Sequence, residues 1–229
     1  MFYDFLIDVC QLRADFMCTF ARMNDKGRQN TQWAENVILV DADYVDKVVF
    51  NLTVNFERMI GRRIPPADMA RWVDCVALDG GLRASKQAGS NEVQVILIHD
   101  KESAALSNFT PGQFADELHG KAFKDHLGEF SFQAYPVEEL TTKERFLADV
   151  LQMVCQQKGV RRLMVIPNAE APYAYDHVRQ VLRQHGADDR QVTLFTMQPA
   201  TERAFRHELL GFSLMAALGI SSEELSPDE

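Results

Sequence analysis

The sequence predicts an α/β protein: a three-layer α/β/α sandwich built on a mostly parallel, five-stranded sheet. Three observations carry that expectation. Short apolar runs such as Val37–Val40, Val93–Ile98 and Leu163–Ile166 read as strands buried on both faces. Segments with apolar residues at three- and four-residue steps lie between these runs, so strand and helix alternate along the chain. Finally, 46% hydrophobic and 25% charged residues over 229 positions form a globular composition, large enough to bury a core without disulfide or metal staples.

Residues 1–35 read as an N-terminal helix and linker. Phe2, Phe5, Leu6, Val9, Leu12, Phe16 and Phe20 recur at helical steps, and the polar stretch that follows contains Gly27. A natural start at Met23 is the alternative reading of this segment. The α/β domain is expected over residues 36–220. Its first strand, Val37–Val40, ends at Asp41-Ala42-Asp43. Val45, Val48, Val49, Leu52, Phe56, Met59 and Ile60 then predict a helix that Asp43 would cap and Gly61 would stop. Pro65 and Pro66 suit the opening of a second helix carrying Met69, Trp72, Val73 and Val76, which Gly80-Gly81 ends. The second strand, Val93–Ile98, runs into His99-Asp100. Phe114, Leu118 and Phe123 suggest a short helix, and Phe130, Phe132, Ala134 and Tyr135 a third strand. Thr141 with Glu144 forms a capping box. The helix it opens carries Phe146, Leu147, Val150, Leu151 and Val154, and Gly159 closes it. Leu163–Ile166 is the fourth strand. Tyr175, Val178, Val181 and Leu182 mark the next helix, and Val192–Phe195 is the fifth strand. Phe205, Leu209, Leu210, Phe212 and Leu214 predict a final helix, followed by a frayed acidic tail over residues 221–229.

Composition excludes several classes of function. Lys and Arg number 24 against 33 Asp and Glu, a formal charge of −9, whereas a grip on many nucleic-acid phosphates calls for a basic surplus. Cys10, Cys18, Cys75 and Cys155 have no metal-binding or redox spacing and read as small apolar residues. Asp4, Asp8 and Asp15 interrupt the opening segment without a preceding basic region, which argues against a secretory signal. No run approaches the roughly 18 apolar residues of a membrane span. A cytoplasmic protein is the expectation. Gly-x-Gly-x-x-Gly, Gly-x-x-x-x-Gly-Lys-Ser/Thr and Gly-x-Ser-x-Gly are all missing. The stretch Gly80-Gly81-Leu82-Arg83 has the makings of an anion loop, although paired glycines after a helix serve first as its stop signal.

In parallel sheets ligands bind beyond the carboxyl ends of the strands. Those positions carry Asp41 and Asp43, then His99 and Asp100, then Asn168 and Glu170; Glu144 and Asp149 lie on the helix before the fourth strand. Such a set of oxygen ligands suits a hard cation, Mg²⁺ or Mn²⁺, which activates water for attack on a phosphodiester. Each acid also has a structural role open to it. Asp43 can cap a helix, Asp100 can end a strand, and Asp149 can face solvent or pair with Lys143 or Arg145. Asp41 stands first among them, because a carboxylate directly after a buried strand needs a partner, an ion or a shared proton.

The segment Val37–Tyr44, Val-Ile-Leu-Val-Asp-Ala-Asp-Tyr, resembles the opening strand of the NYN group of PIN-like nucleases, which ends in Asp-Gly-Asp/Glu-Asn. Lys143–Leu151 resembles that family's helix with an inward acid, at Asp149, and Leu163–Gly186 occupies the place of its strand–Ser-Gly-Asp-Ser-Asp–helix unit. The resemblance spans residues 36–198 and lies in layout more than in identity. It implies a PIN/NYN-like fold and RNA hydrolysis, with Asp41, Asp149 and Glu170 as catalytic acids. Asp41, Asp43, Asp149 and Asn168 are the implied ligands of Mg²⁺ or Mn²⁺. Asn168 stands where the family motif has its first Asp, and Glu170 where it has the second, so the implied metal site is degenerate. The sequence also looks like members of an uncharacterised family without assigned activity. Two expectations follow: a divergent metal-dependent ribonuclease, or a catalytically inactive module acting through protein contacts or self-association as a homodimer.

Overall fold

A computed structural model describes residues 33–84, 91–139, 141–185, 190–199, 204–221 and 223–225. The helix expected over residues 1–23, and the linker as far as residue 32, lie outside the described residues.

All five apolar runs are strands. β1 is Asn36–Asp41, β3 Asn91–Asp100, β6 Gly128–Val137, β7 Arg162–Ile166 and β8 Gln191–Thr196. The main sheet has seven strands rather than five, in the order β5-β6-β3-β1-β7-β8-β9. The two additions are its edges, β5 (Ala122–Lys124) and β9 (Arg206–Leu209). An edge strand pairs on one side and needs no apolar run, so neither announces itself in the sequence. The final helix had been expected to begin near Phe205. Arg206–Leu209 instead pairs in parallel with β8, and the helix begins at Leu210. Phe123, expected in a helix, lies in β5, antiparallel to β6. A second, two-stranded sheet pairs β2 (Ala67–Asp68) with β4 (Phe109–Thr110).

β5 alone runs antiparallel among the main-sheet pairs. The six parallel strands, counted in chain order, lie as 3-2-1-4-5-6. That is a doubly wound sheet, and its topological switch point falls between β1 and β7. Helices lie on both faces. Ile38, Val40, Val95 and Leu97 share a core with α1 (Ala42–Ile60), α2 (Met69–Asp79) and α5 (Leu210–Ala217). The alternate side chains Val37, Leu39, Leu163 and Val165 are also buried, as a sheet covered on its second face requires. There α3 (Lys143–Gln156) and α4 (Pro172–His185) pack against each other.

Helix starts depart from expectation in ways that matter at the strand ends. Asp41, not Asp43, caps α1: its Oδ1 accepts from Tyr44 N–H at 3.1 Å. Asp43 is thereby released to face other groups. Asp68 caps α2 by accepting from Arg71 N–H at 3.0 Å. Pro65 and Pro66 precede that helix rather than open it, because Ala67 and Asp68 are held in β2. Thr142, the residue after the expected cap, accepts from Arg145 N–H at 3.3 Å and starts α3. The tail is not frayed at residues 223–225. They form a helical turn, and Glu224 accepts from Arg62 Nε at 2.6 Å.

Candidate functional site

The register places the carboxyl ends of three strands side by side, with Asp41 opposite Ile98 and Val40 opposite both Leu97 and Ile166. Asp41 is only 2% exposed. Burial pushes its carboxyl above the ordinary carboxylate range, while the Lys143 ammonium and the Tyr44 amide pull the other way. Asp43 reaches sideways to β3. It accepts from Asp100 N–H at 2.8 Å and from Ser103 Oγ at 2.5 Å. Burial alone would raise its carboxyl too, but the hydrogen bonds from Lys143, Ser103 and Asp100 hold it below the ordinary value.

Lys143 closes the cluster. Standing first in α3, it places Nζ 3.2 Å from Asp41 Oδ1, 2.7 Å from Asp43 Oδ2 and 3.0 Å from Asp100 Oδ2. Burial works against its charge, yet the surrounding carboxylates outweigh that and raise its pKa, so the ammonium stays protonated. His99 lies beside this group, buried and stacked on Phe114 with ring centroids 3.9 Å apart. Its Nδ1 is 2.9 Å from the Asp100 carbonyl oxygen, to which it can only donate. Burial holds its pKa below the ordinary imidazole value and favours the neutral ring.

The residues expected at the site are thus divided. Asp41 and Asp43 come together with Asp100. Asp149 lies six residues beyond Lys143 in α3, roughly 9 Å farther along the helix axis, and is exposed. Glu170, at the mouth of the switch point, pairs with Lys47 at 2.9 Å, and both side chains are at least half exposed. Asn168 Oδ1 accepts from Glu170 N–H at 3.1 Å and so shapes the loop after β7. Between these halves the Tyr44 hydroxyl is buried, with no hydrogen-bond partner among the described residues. Burial, with Glu170 and Asp41 nearby, pushes its pKa up to about 12.

Sequence reading missed Lys143, Ser103 and Tyr44 as members of this group. A clue existed: acids clustered at strand ends need a cation, and Lys143 follows directly on a helix cap.

Three carboxylates converge, but on an ammonium that occupies the centre, and a second cation among the same oxygens would be repelled by it at close range. The arrangement is a poor cradle for Mg²⁺ or Mn²⁺. Among the described residues, the acids and imidazoles whose ligand atoms converge within 4.8 Å are Asp74, Asp125 and His126. They lie at the opposite end of the sheet, where Asp125 bonds the amides of Leu127 and Gly128 at the start of β6.

Fold and site together define a doubly wound α/β domain with a lysine-centred acid cluster beside its switch point. The chain belongs to the family of unknown function DUF6621, whose model matches residues 30–225. No curated protein and no solved structure matches the chain.

Proposed function

We propose that this chain is a PIN/NYN-like module in which Lys143 has taken the seat of the catalytic cation, so that it acts through contacts with protein rather than by metal-dependent RNA hydrolysis. The observation that carries this reading is the Lys143 ammonium within 3.2 Å of Asp41, Asp43 and Asp100. The doubly wound sheet with acids at its carboxyl ends supports the resemblance in layout. The net charge of −9 and the distance of Asp149 from the cluster weigh against a working nuclease. Apolar side chains available for protein contacts include Phe50 and Met59 on α1 and Phe212 on α5, all more than half exposed.

The test compares the wild type with Lys143→Ala. Wild type should neither cut single-stranded or structured RNA under Mn²⁺ nor melt at a higher temperature when Mn²⁺ is added. Lys143→Ala, with three carboxylates left facing one another, should melt lower in buffer and recover on adding Mn²⁺. Mn²⁺-dependent cleavage by the wild type overturns the reading.

A further inference from the structure

At the amino-terminal edge of the sheet, opposite the Lys143 cluster, lies a cavity of about 360 Å³. Gly80, Gly81, Arg83, Gln191, Thr193 and Arg206 line it, so among the described residues both charged lining side chains are arginines. Arg162 stands behind them. It is braced by hydrogen bonds to the Gly80 carbonyl (3.1 Å), Asn36 Oδ1 (2.8 Å) and Gln191 Oε1 (2.8 Å). We propose that this cavity binds a small phosphate-bearing anion, held by Arg83 and Arg206 in front of Arg162.

Three features carry the assignment. The first is the convergence of guanidiniums, which is unfavourable without a counter-ion. Burial lowers the pKa of Arg162, Glu35 opposes that, and Arg83 and Arg206 lower it further by like-charge repulsion. An anion in the cavity relieves that repulsion. The second is the opening kept by Gly81. At φ +89° it has no side chain to fill the space, and a Cβ there would lie 3.4 Å from Arg206 Nη1. Arg206 itself lines the cavity, while its Nε and Nη2 engage Glu208 at 2.8 Å. The third is chemistry. Planar guanidinium forks match phosphate oxygens in paired hydrogen bonds. The volume lies at the lower end of the roughly 300–1,000 Å³ of small-ligand sites.

A purely structural role explains only part of the group. Arg83 Nη1 donates to the Leu78 and Leu82 carbonyls, and Arg162 to Gly80, as cations do at a helix C-terminus. Arg206 makes no such contact. The nearby carboxylates Glu208, Asp79 and Glu35 match the three guanidiniums in number, but none of them is among the described residues that line the cavity.

The experiment titrates the full chain with inorganic pyrophosphate, inorganic phosphate and citrate, followed by calorimetry and melting temperature at constant ionic strength. Pyrophosphate should bind saturably and raise the melting temperature, with phosphate weaker and citrate weakest. Arg206→Met and Arg83→Met should each weaken pyrophosphate binding at least tenfold, and the rise in melting temperature on adding pyrophosphate, taken for each variant from its own ligand-free value, should shrink accordingly. Arg162 is left intact because it also ties three strands together. No saturable binding, or equal binding by wild type and both variants, overturns the proposal. Citrate binding as tight as pyrophosphate also overturns the phosphate assignment. The site lies apart from Lys143 and does not depend on the reading given above.

Discussion

Lys143 shows how a single side chain can set the chemistry of a whole cleft. Three acids at the ends of β1, α1 and β3 would repel one another if left alone; with the ammonium among them they form a compact ion cluster. Breaking a buried pair by removing one partner strands the other charges, at a cost of about 3–5 kcal/mol. Lys143→Met should therefore lower stability by about that amount in urea unfolding, and Asp100→Asn, at the exposed side of the cluster, by much less. A second residue-scale prediction concerns Asp74 and Asp125. Asp74 Oδ1 and Asp125 Oδ2 are buried, and Asp125 Oδ2 also lies 3.4 Å from His126 Nδ1. Burial, and then Asp125, pushes Asp74 from 3.8 up to about 7. The folded value lies above the unfolded one, so protonation contributes stability that is complete below about 3.8 and lost as pH rises through about 7. Asp74 therefore tilts the melting temperature downward across that window, against the opposite pull of Asp43, Asp125 and Glu224. Asp74→Asn, which keeps a donor toward Asp125, should flatten the slope; an unchanged slope would show that other groups set it.

Elements begin and end where local chemistry meets tertiary pairing. The glycine stops at Gly61 and Gly80 were readable because a helix end leaves carbonyls that need a turn. The starts were readable only to within a few residues. Asp41, Asp68 and Thr142 are the working caps. Their neighbours Asp43 and Thr141 are chemically as fit; at α1 the choice falls on Asp41, which is the last paired residue of β1. Asp68→Ala should cost about 1 kcal/mol by loss of the α2 cap, measured by thermal or urea unfolding. Gly128 opens β6 beside Asn91, and a Cβ there would run into the Asn91 carbonyl oxygen. Gly128→Ala should therefore disturb the β3–β6 pairing by about 1–3 kcal/mol, visible as faster hydrogen exchange in those two strands.

At the scale of the whole molecule, charge and topology act together. A chain of net charge −9, with its basic residues scattered along the sequence rather than set in a track, should not retain RNA in a gel shift at physiological salt. Retention that weakens steeply with added salt would contradict this. No described helix is long and apolar enough to cross a membrane. The alternation of strand and helix, the five buried strands and the need of Asp41 for a partner were legible in the sequence. A strand covered on both faces must be apolar throughout, and a carboxylate placed just beyond it stands out. The edge strands β5 and β9 were not legible, because pairing on one side leaves little hydrophobic trace. Nor were the partners of Asp41 and Asp43. Lys143 and Asp43 lie 100 residues apart, and Asp100 and Asp43 57 apart. They meet only because the strand order 3-2-1-4 sets β1 between β3 and β7, with α3 leading from β6 into β7. Local periodicity is a property of neighbours in the chain, so the sequence alone determined the fold class. The convergence of charges depends on long-range packing, so tertiary structure decided that the acids meet a lysine.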